Sequence, residues 1–214
     1  MNIAILGGTG KEGAGLAARW AAAGHSIIIG SRDEARAKAK AIEMREKVGK
    51  LTIIGHSNLD AARLGEAIVI ALPHIGLDAT LPPLREACAG KVVISTVVPL
   101  TFGGPRLFTP PAVGSSAEEV QSLLPESRVV ASFHHIAAHE LSETDHAIEC
   151  DLLMCGGDAA SKQVVTELGA SMGLRSVDVG GLSNAGPLEG ITAVLATVNR
   201  RYKLKNSGIK ITGV

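Results

Sequence analysis

The stretch Met1-Asn2-Ile3-Ala4-Ile5-Leu6-Gly7-Gly8-Thr9-Gly10-Lys11-Glu12-Gly13 constrains this chain more than any other. Residues 2–6 form a short apolar run of strand type. Gly8, Gly10 and Gly13 then fit G-x-G-x-x-G. Residues Leu16 to Ala23 favour a helix, which Gly24 stops. Strand, glycine turn and helix together form the context in which this fingerprint signifies dinucleotide binding. Gly8 allows the tight turn, Gly10 lets the backbone approach a pyrophosphate, and Gly13 lets helix and strand pack closely. The helix start then offers free N–H groups to the phosphates.

Further alternation follows. Strands are predicted at 25–30, 51–54, 67–72, 91–95, 128–133, 151–155 and 176–179. Helices are predicted at 34–48, 58–64, 76–88, 159–172 and 187–202, the third kinked by Pro82-Pro83. Ser115 and Ser116 can cap a helix that begins near Glu118 and Glu119. Val- and Ile-rich strands alternating with helices predict an α/β fold: a Rossmann-type, doubly wound, mostly parallel sheet buried on both faces. A composition shift near residue 155 suggests a dinucleotide-binding domain over 1–155 and a small C-terminal α/β or helical part over 156–214.

The end of the second strand distinguishes the dinucleotides. An acid there holds the ribose 2′-OH of NAD, whereas a basic residue accommodates a 2′-phosphate. This chain offers Ser31 and Arg32, with Arg36 one turn later, which favours NADP(H). Asp33 is the competing ribose acid if the register shifts by two.

Composition excludes other classes. Formal net charge is zero, which argues against a general nucleic-acid binder. The apolar runs are short and broken, so no membrane span is expected. A strand beginning at residue 2 leaves no room for a leader. Three scattered cysteines suggest a reducing compartment, hence the cytoplasm. Aromatic residues make up 2%, too few for a site of stacked aromatic side chains.

Gly7-Gly8-Thr9-Gly10, Gly24-His25 and Gly30-Ser31-Arg32 resemble the NADPH-dependent reductases of the deazaflavin coenzyme F420. The similarity continues through Leu72-Pro73, Val97-Val98-Pro99, Ser132-Phe133-His134, Leu182-Ser183-Asn184 and Gly208-Ile209-Lys210, nearly the whole chain. It implies an oxidoreductase that moves hydride between NADP(H) and F420, with small-molecule cofactors as its partners, a C-terminal part closing over the acceptor site, and a homodimer. On this resemblance Thr9, Gly10, Lys11 and Glu12 wrap the pyrophosphate. Ser31, Arg32 and Arg36 hold the 2′-phosphate. Leu72, Pro73, His74 and Val98 line the path to the nicotinamide. The backbone from Ile136 to Ala138 touches the carboxamide, residues near Gly208 touch the deazaflavin, and His134 is the candidate for its polar edge. His74, His135, Ala137 and His139 depart from the family pattern at the acceptor face. That departure motivates a rival reading, an NADPH-dependent reductase with a flavin, quinone or metal chelate as acceptor. A second rival is a dinucleotide-binding regulatory protein without turnover.

Four of the seven histidines fall in residues 134–146. His135 and His139 would share a face if 135–140 were helical, but the full H-E-x-x-H metal pattern is missing, so no metal site is assigned. Arg200, Arg201, Lys203, Lys205 and Lys210 make the C-terminus basic. They either offset the last helix's dipole or dock the anionic deazaflavin tail. Ile191, Val194, Leu195 and Val198 form an apolar stripe for an interface or the core.

Overall fold

The computed structural model describes residues 1–48 and 52–214. The elements run β1 (Asn2–Leu6), α1 (Lys11–Ala22), β2 (Ser26–Ser31), α2 (Glu34–Val48), β3 (Ile53–Ser57), α3 (Asn58–Leu64), β4 (Ala67–Ile70), α4 (Leu77–Thr80) and α5 (Arg85–Cys88). They continue with β5 (Val92–Ser95), α6 (Ser116–Leu123), β6 (Arg128–Ser132), α7 (Ala138–Ser142), β7 (Asp151–Gly156), α8 (Ala159–Ala170), β8 (Arg175–Asp178) and α9 (Ala185–Tyr202). Leu51, expected in the third strand, lies outside the described residues. The predicted helix over 76–88 is broken into α4 and α5 by a 3₁₀ turn at Pro82–Leu84, because proline brings no N–H to a helical ladder.

The strands form one sheet in the order β3-β2-β1-β4-β5-β6-β7-β8. From β3 to β6 all pairings are parallel; β7 runs antiparallel to β6, and β8 parallel to β7. The doubly wound, mostly parallel fold is therefore as expected. The order reverses between β1 and β4, and in such sheets the ligand crevice opens at that switch point. Because β7 is antiparallel, residues 133–150 stay at the carboxyl edge, beside the crevice. Residue 155 falls inside β7, and the sheet runs on through β8.

Each face of the sheet carries its own core. Ile3, Ile5, Trp20, Ile27, Val69 and Phe133 belong to one, and Leu6, Ile68, Ile70, Leu77, Val93 and Val120 to the other. The Trp20 and Phe133 rings meet edge to face at 5.2 Å, and the indole N–H donates to the Leu168 carbonyl at 3.1 Å, so α1, β6 and α8 are locked together. The start of α6 is satisfied twice. Ser115 Oγ accepts from the Glu118 N–H, and the fully buried Glu189 of α9 accepts from the N–H groups of Ser116 and Ala117 at 3.0 Å each. The C-terminal tail is held through Asp151, which accepts from Arg175 at 2.9 and 2.6 Å and from the Ile211 N–H at 2.6 Å. Arg175 is the main reason that the Asp151 carboxyl is depressed to about 2.

Candidate dinucleotide and acceptor site

The loops that leave β1, β4 and β5 meet at one edge and wall a cavity of about 740 Å³. At its centre is the glycine turn. Gly7 takes φ 82°, a region closed to most side chains, and its N–H donates to the Gly30 carbonyl at 3.1 Å. A Cβ on Gly13 would stand 2.8 Å from the Gly8 Cα and 3.1 Å from the Gly7 carbonyl oxygen, so α1 can lie this close only with glycine there. Gly10 precedes α1 in an extended conformation and gives it no side-chain cap. The N–H groups of the first turn are thus left for a ligand, and the helix dipole favours an anion there.

One end of the cavity is polar. Ser31, Arg32, Asp33, Arg36 and Asn58 line it. Asp33 is engaged in capping α2: its Oδ1 accepts from the Arg36 N–H at 3.2 Å, while its own N–H donates to Ser31 Oγ at 3.2 Å. A carboxylate fixed as a helix cap is poorly placed as a ribose acid, and the two guanidiniums nearby supply the donors a phosphate requires. The other end is mostly apolar, with Leu72, Pro73, Val97, Val98, Leu100 and Phe102 joined by His134 and Thr192. Phe133, at φ 65°, turns the chain sharply after β6. Two consecutive histidines consequently part company. His135 packs inward with Nε2 3.0 Å from the Asp151 carbonyl oxygen, whereas His134 lines the cavity. Burial pushes the His134 imidazole down to about 3, so it is neutral; the backbone of Ser132, Leu188 and Ser95 lies close to the ring, yet neither ring nitrogen makes a well-formed hydrogen bond among the described residues. An uncapped helix start, a backbone cradle that a Cβ would fill and unpartnered buried nitrogens together suit a phosphorylated dinucleotide beside a second, polar-edged ring.

Comparison with known proteins agrees with this geometry. Residues 2–99 match the family described as NADP oxidoreductase, coenzyme F420-dependent. The F420-dependent NADP reductase of Methanocaldococcus jannaschii is 41% identical over 100% of this chain and 99% of its own length. The chain belongs to the F420-dependent NADP reductase family. The member from Methanothermobacter thermautotrophicus is 36% identical over 100% of this chain and 96% of its own length. A crystal structure of a candidate F420-dependent NADP reductase from Arthrobacter sp. FB24 superposes with a TM-score of 0.86 at 27% identity, covering 98% of each chain.

Most of the residues that the family resemblance singles out converge on the cavity: Thr9, Gly10, Lys11, Glu12, Ser31, Arg32, Arg36, Leu72, Pro73, Val98 and His134. Gly8 lies beneath it, where a Cβ would meet the Ile5 carbonyl oxygen at 2.9 Å. His74 turns away, with Nε2 2.7 Å from Glu119 Oε2 of α6. Ala138 lines a neighbouring groove along α1 and α2, and Ile136, Ala137 and Gly208 line a separate depression with Cys150. The metal-pair geometry is not realised, since His135 precedes α7 and is buried while His139 on α7 sits 3.8 Å from Glu143. Arg19 organises that histidine-rich segment by donating to the carbonyls of Glu140, Glu143 and His146. Asn58, Thr96, Phe102 and Thr192 line the cavity without having been singled out as site residues in the sequence. For Asn58 the signal was available, because it follows a strand that must lie beside β2.

Glu12 offers a pH test. Its Oε1 is buried without a partner, and burial raises its carboxyl to about 8, opposed by the neighbouring Thr96 hydroxyl. The folded form therefore holds this proton more tightly than the unfolded chain, whose carboxyl ordinarily titrates near 4.5. The stabilising effect is complete below about pH 4.5, erodes as pH rises, and is gone above about 8. Glu189, raised to about 7 by burial, acts with the same sign over a shorter window. Between pH 7 and 8 the thermal midpoint of the ligand-free protein should thus fall, and Glu12→Gln should remove most of that fall. Identical slopes for the two proteins would contradict the assignment.

Proposed function

We propose that this protein is an oxidoreductase that transfers hydride between NADP(H) and the deazaflavin coenzyme F420. The observation that carries the reading is one cavity whose two ends differ in chemistry. Ser31, Arg32 and Arg36 form a donor cluster at one end, the bare start of α1 lies in the middle, and an apolar wall with neutral His134 occupies the other end. Full-length identity to named F420-dependent NADP reductases supports the acceptor.

The two cofactors supply the hydride donor and acceptor, so the protein's task is to hold their rings together and exclude water. The glycine turn and the first turn of α1 would bind the pyrophosphate, with the two arginines and Ser31 on the 2′-phosphate. Leu72, Pro73, Val97 and Val98 would flank the nicotinamide, and His134 would hydrogen-bond a polar edge of the deazaflavin. Thr192, on α9, donates to the His134 carbonyl at 3.2 Å, and this contact supports a role for residues 156–214 in closing the acceptor end. A homodimer belongs to the same reading, supported by the exposed Val194 on α9. So does a cytoplasmic location, supported by three free, buried cysteines. No described helix is long and apolar enough to cross a membrane.

Mixing the protein with NADPH and oxidised F420 tests the proposal. The absorbances of both should fall together, one equivalent of each. Loss of NADPH absorbance only when a flavin, quinone or ferric chelate is supplied would replace F420 by that acceptor. Tight NADPH binding with no turnover on any of them would make the protein a sensor.

A further inference from the structure

Asn58 is the first residue of α3. The β2–β3 register places Ser57 opposite Ser31, so the start of α3 stands beside the end of β2. The residue is only 7% exposed and lines the polar end of the cavity with Ser31, Arg32 and Arg36. Its amide has no hydrogen-bond partner among the described residues, and its Oδ1 is fully buried.

The orientation of the amide follows from Gly30. A Cβ there would lie 2.8 Å from Asn58 Oδ1, so the oxygen occupies the space that glycine leaves open. An oxygen tolerates that close approach to a Cα–H, whereas an NH₂ group would press hydrogen on hydrogen. With Oδ1 lying against Gly30, Nδ2 is the amide atom free to donate to a ligand in the cavity that Asn58 lines. Asparagine reads an adenine edge by using oxygen and nitrogen together, and here one of the two is occupied. A lone donor beside two guanidiniums and a serine hydroxyl completes a set suited to phosphate oxygens.

We propose that Asn58 is a further NADP(H)-positioning residue, its side-chain amide donating to the adenosine 2′-phosphate while Gly30 makes room for its oxygen. This rests on the NADP(H) reading above and is independent of the acceptor.

The near-isosteric Asn58→Asp replacement tests it by calorimetric titration with NADPH and with NADH, in the absence of any acceptor. A carboxylate at this position repels the 2′-phosphate, so Kd for NADPH should rise about 30-fold or more while Kd for NADH changes by less than about threefold. Asn58→Ala should weaken NADPH binding about tenfold with the same selectivity, and serves if the aspartate variant folds poorly. Equal loss for both nucleotides, or no loss for either, would overturn the proposal. Failure of F420 to be reduced would leave this result untouched, because the titration contains no F420.

Discussion

Replacing Arg32 with alanine should raise the Kd for NADPH by about 100-fold and leave that for NADH within about threefold; a charge-assisted contact to phosphate carries about 1.5–3 kcal/mol. The selectivity is the informative part. Arg32 and Arg36 are exposed in the free protein and lie at the same end of the cavity, so neither is needed to support the core. Losing a guanidinium there removes an interaction that only the 2′-phosphorylated dinucleotide can make. Asp33 sharpens the contrast, because its carboxylate is engaged at the start of α2 and gives NADH no compensating ribose contact. Combining Arg32→Ala with Arg36→Ala should bring the two affinities close to each other. Equal weakening of both nucleotides by Arg32→Ala alone would show that the 2′-phosphate lies elsewhere.

A second large effect is expected at the glycine turn, where two neighbouring positions should fail in different ways. A Cβ on Gly10 would meet only the Gly7 carbonyl oxygen, at 3.4 Å, so the folded chain accommodates alanine there. The new methyl would occupy the approach to the uncapped start of α1. Gly10→Ala should therefore leave the melting temperature nearly unchanged and weaken NADPH binding by about 100-fold, through lost phosphate contacts. Gly13→Ala should act on the fold itself. Its Cβ would press on the Gly8 Cα, the Gly7 carbonyl oxygen and the Ala71 Cβ at 3.3 Å, all on short, tightly tethered segments. Overpacking of this kind costs about 1–3 kcal/mol. In a chain of this size that lowers the melting temperature by about 3–10 °C. Thermal unfolding and nucleotide titration of the two variants separate the effects. A destabilised Gly10→Ala, or a Gly13→Ala protein of unchanged stability, would contradict the packing described here.

Local signals in the sequence reached far because this fold is built from them. The strand–turn–helix at residues 2–23, the β2 end at Ser31-Arg32, the capping serine before α6 and the proline break at 82–83 each depend on neighbours a few residues away. Periodicity and capping chemistry read such neighbours directly. Boundaries slipped where a tertiary partner decides them. β3 extends through Gly55, His56 and Ser57, polar or small residues that join the strand because β2 offers a parallel ladder beside them.

The sequence by itself determined the alternating architecture, the dinucleotide turn and the preference for a 2′-phosphate, since each rests on contacts within one strand–turn–helix unit. Only the tertiary structure decided what surrounds that turn. The positive φ at Phe133 sent His134 into the cavity and His135 into the core, a division that no spacing rule contains. Glu119 on α6 drew His74 away from the cavity, and α7 carried His139 to the surface. Asn58 joined the site because β3 lies beside β2. The parallel sheet brings to one edge residues as distant in the chain as Gly10, Asn58, Thr96 and His134, and α9 adds Thr192 to them. Their mutual distances are set by strand order and burial, which act only once the whole chain has folded.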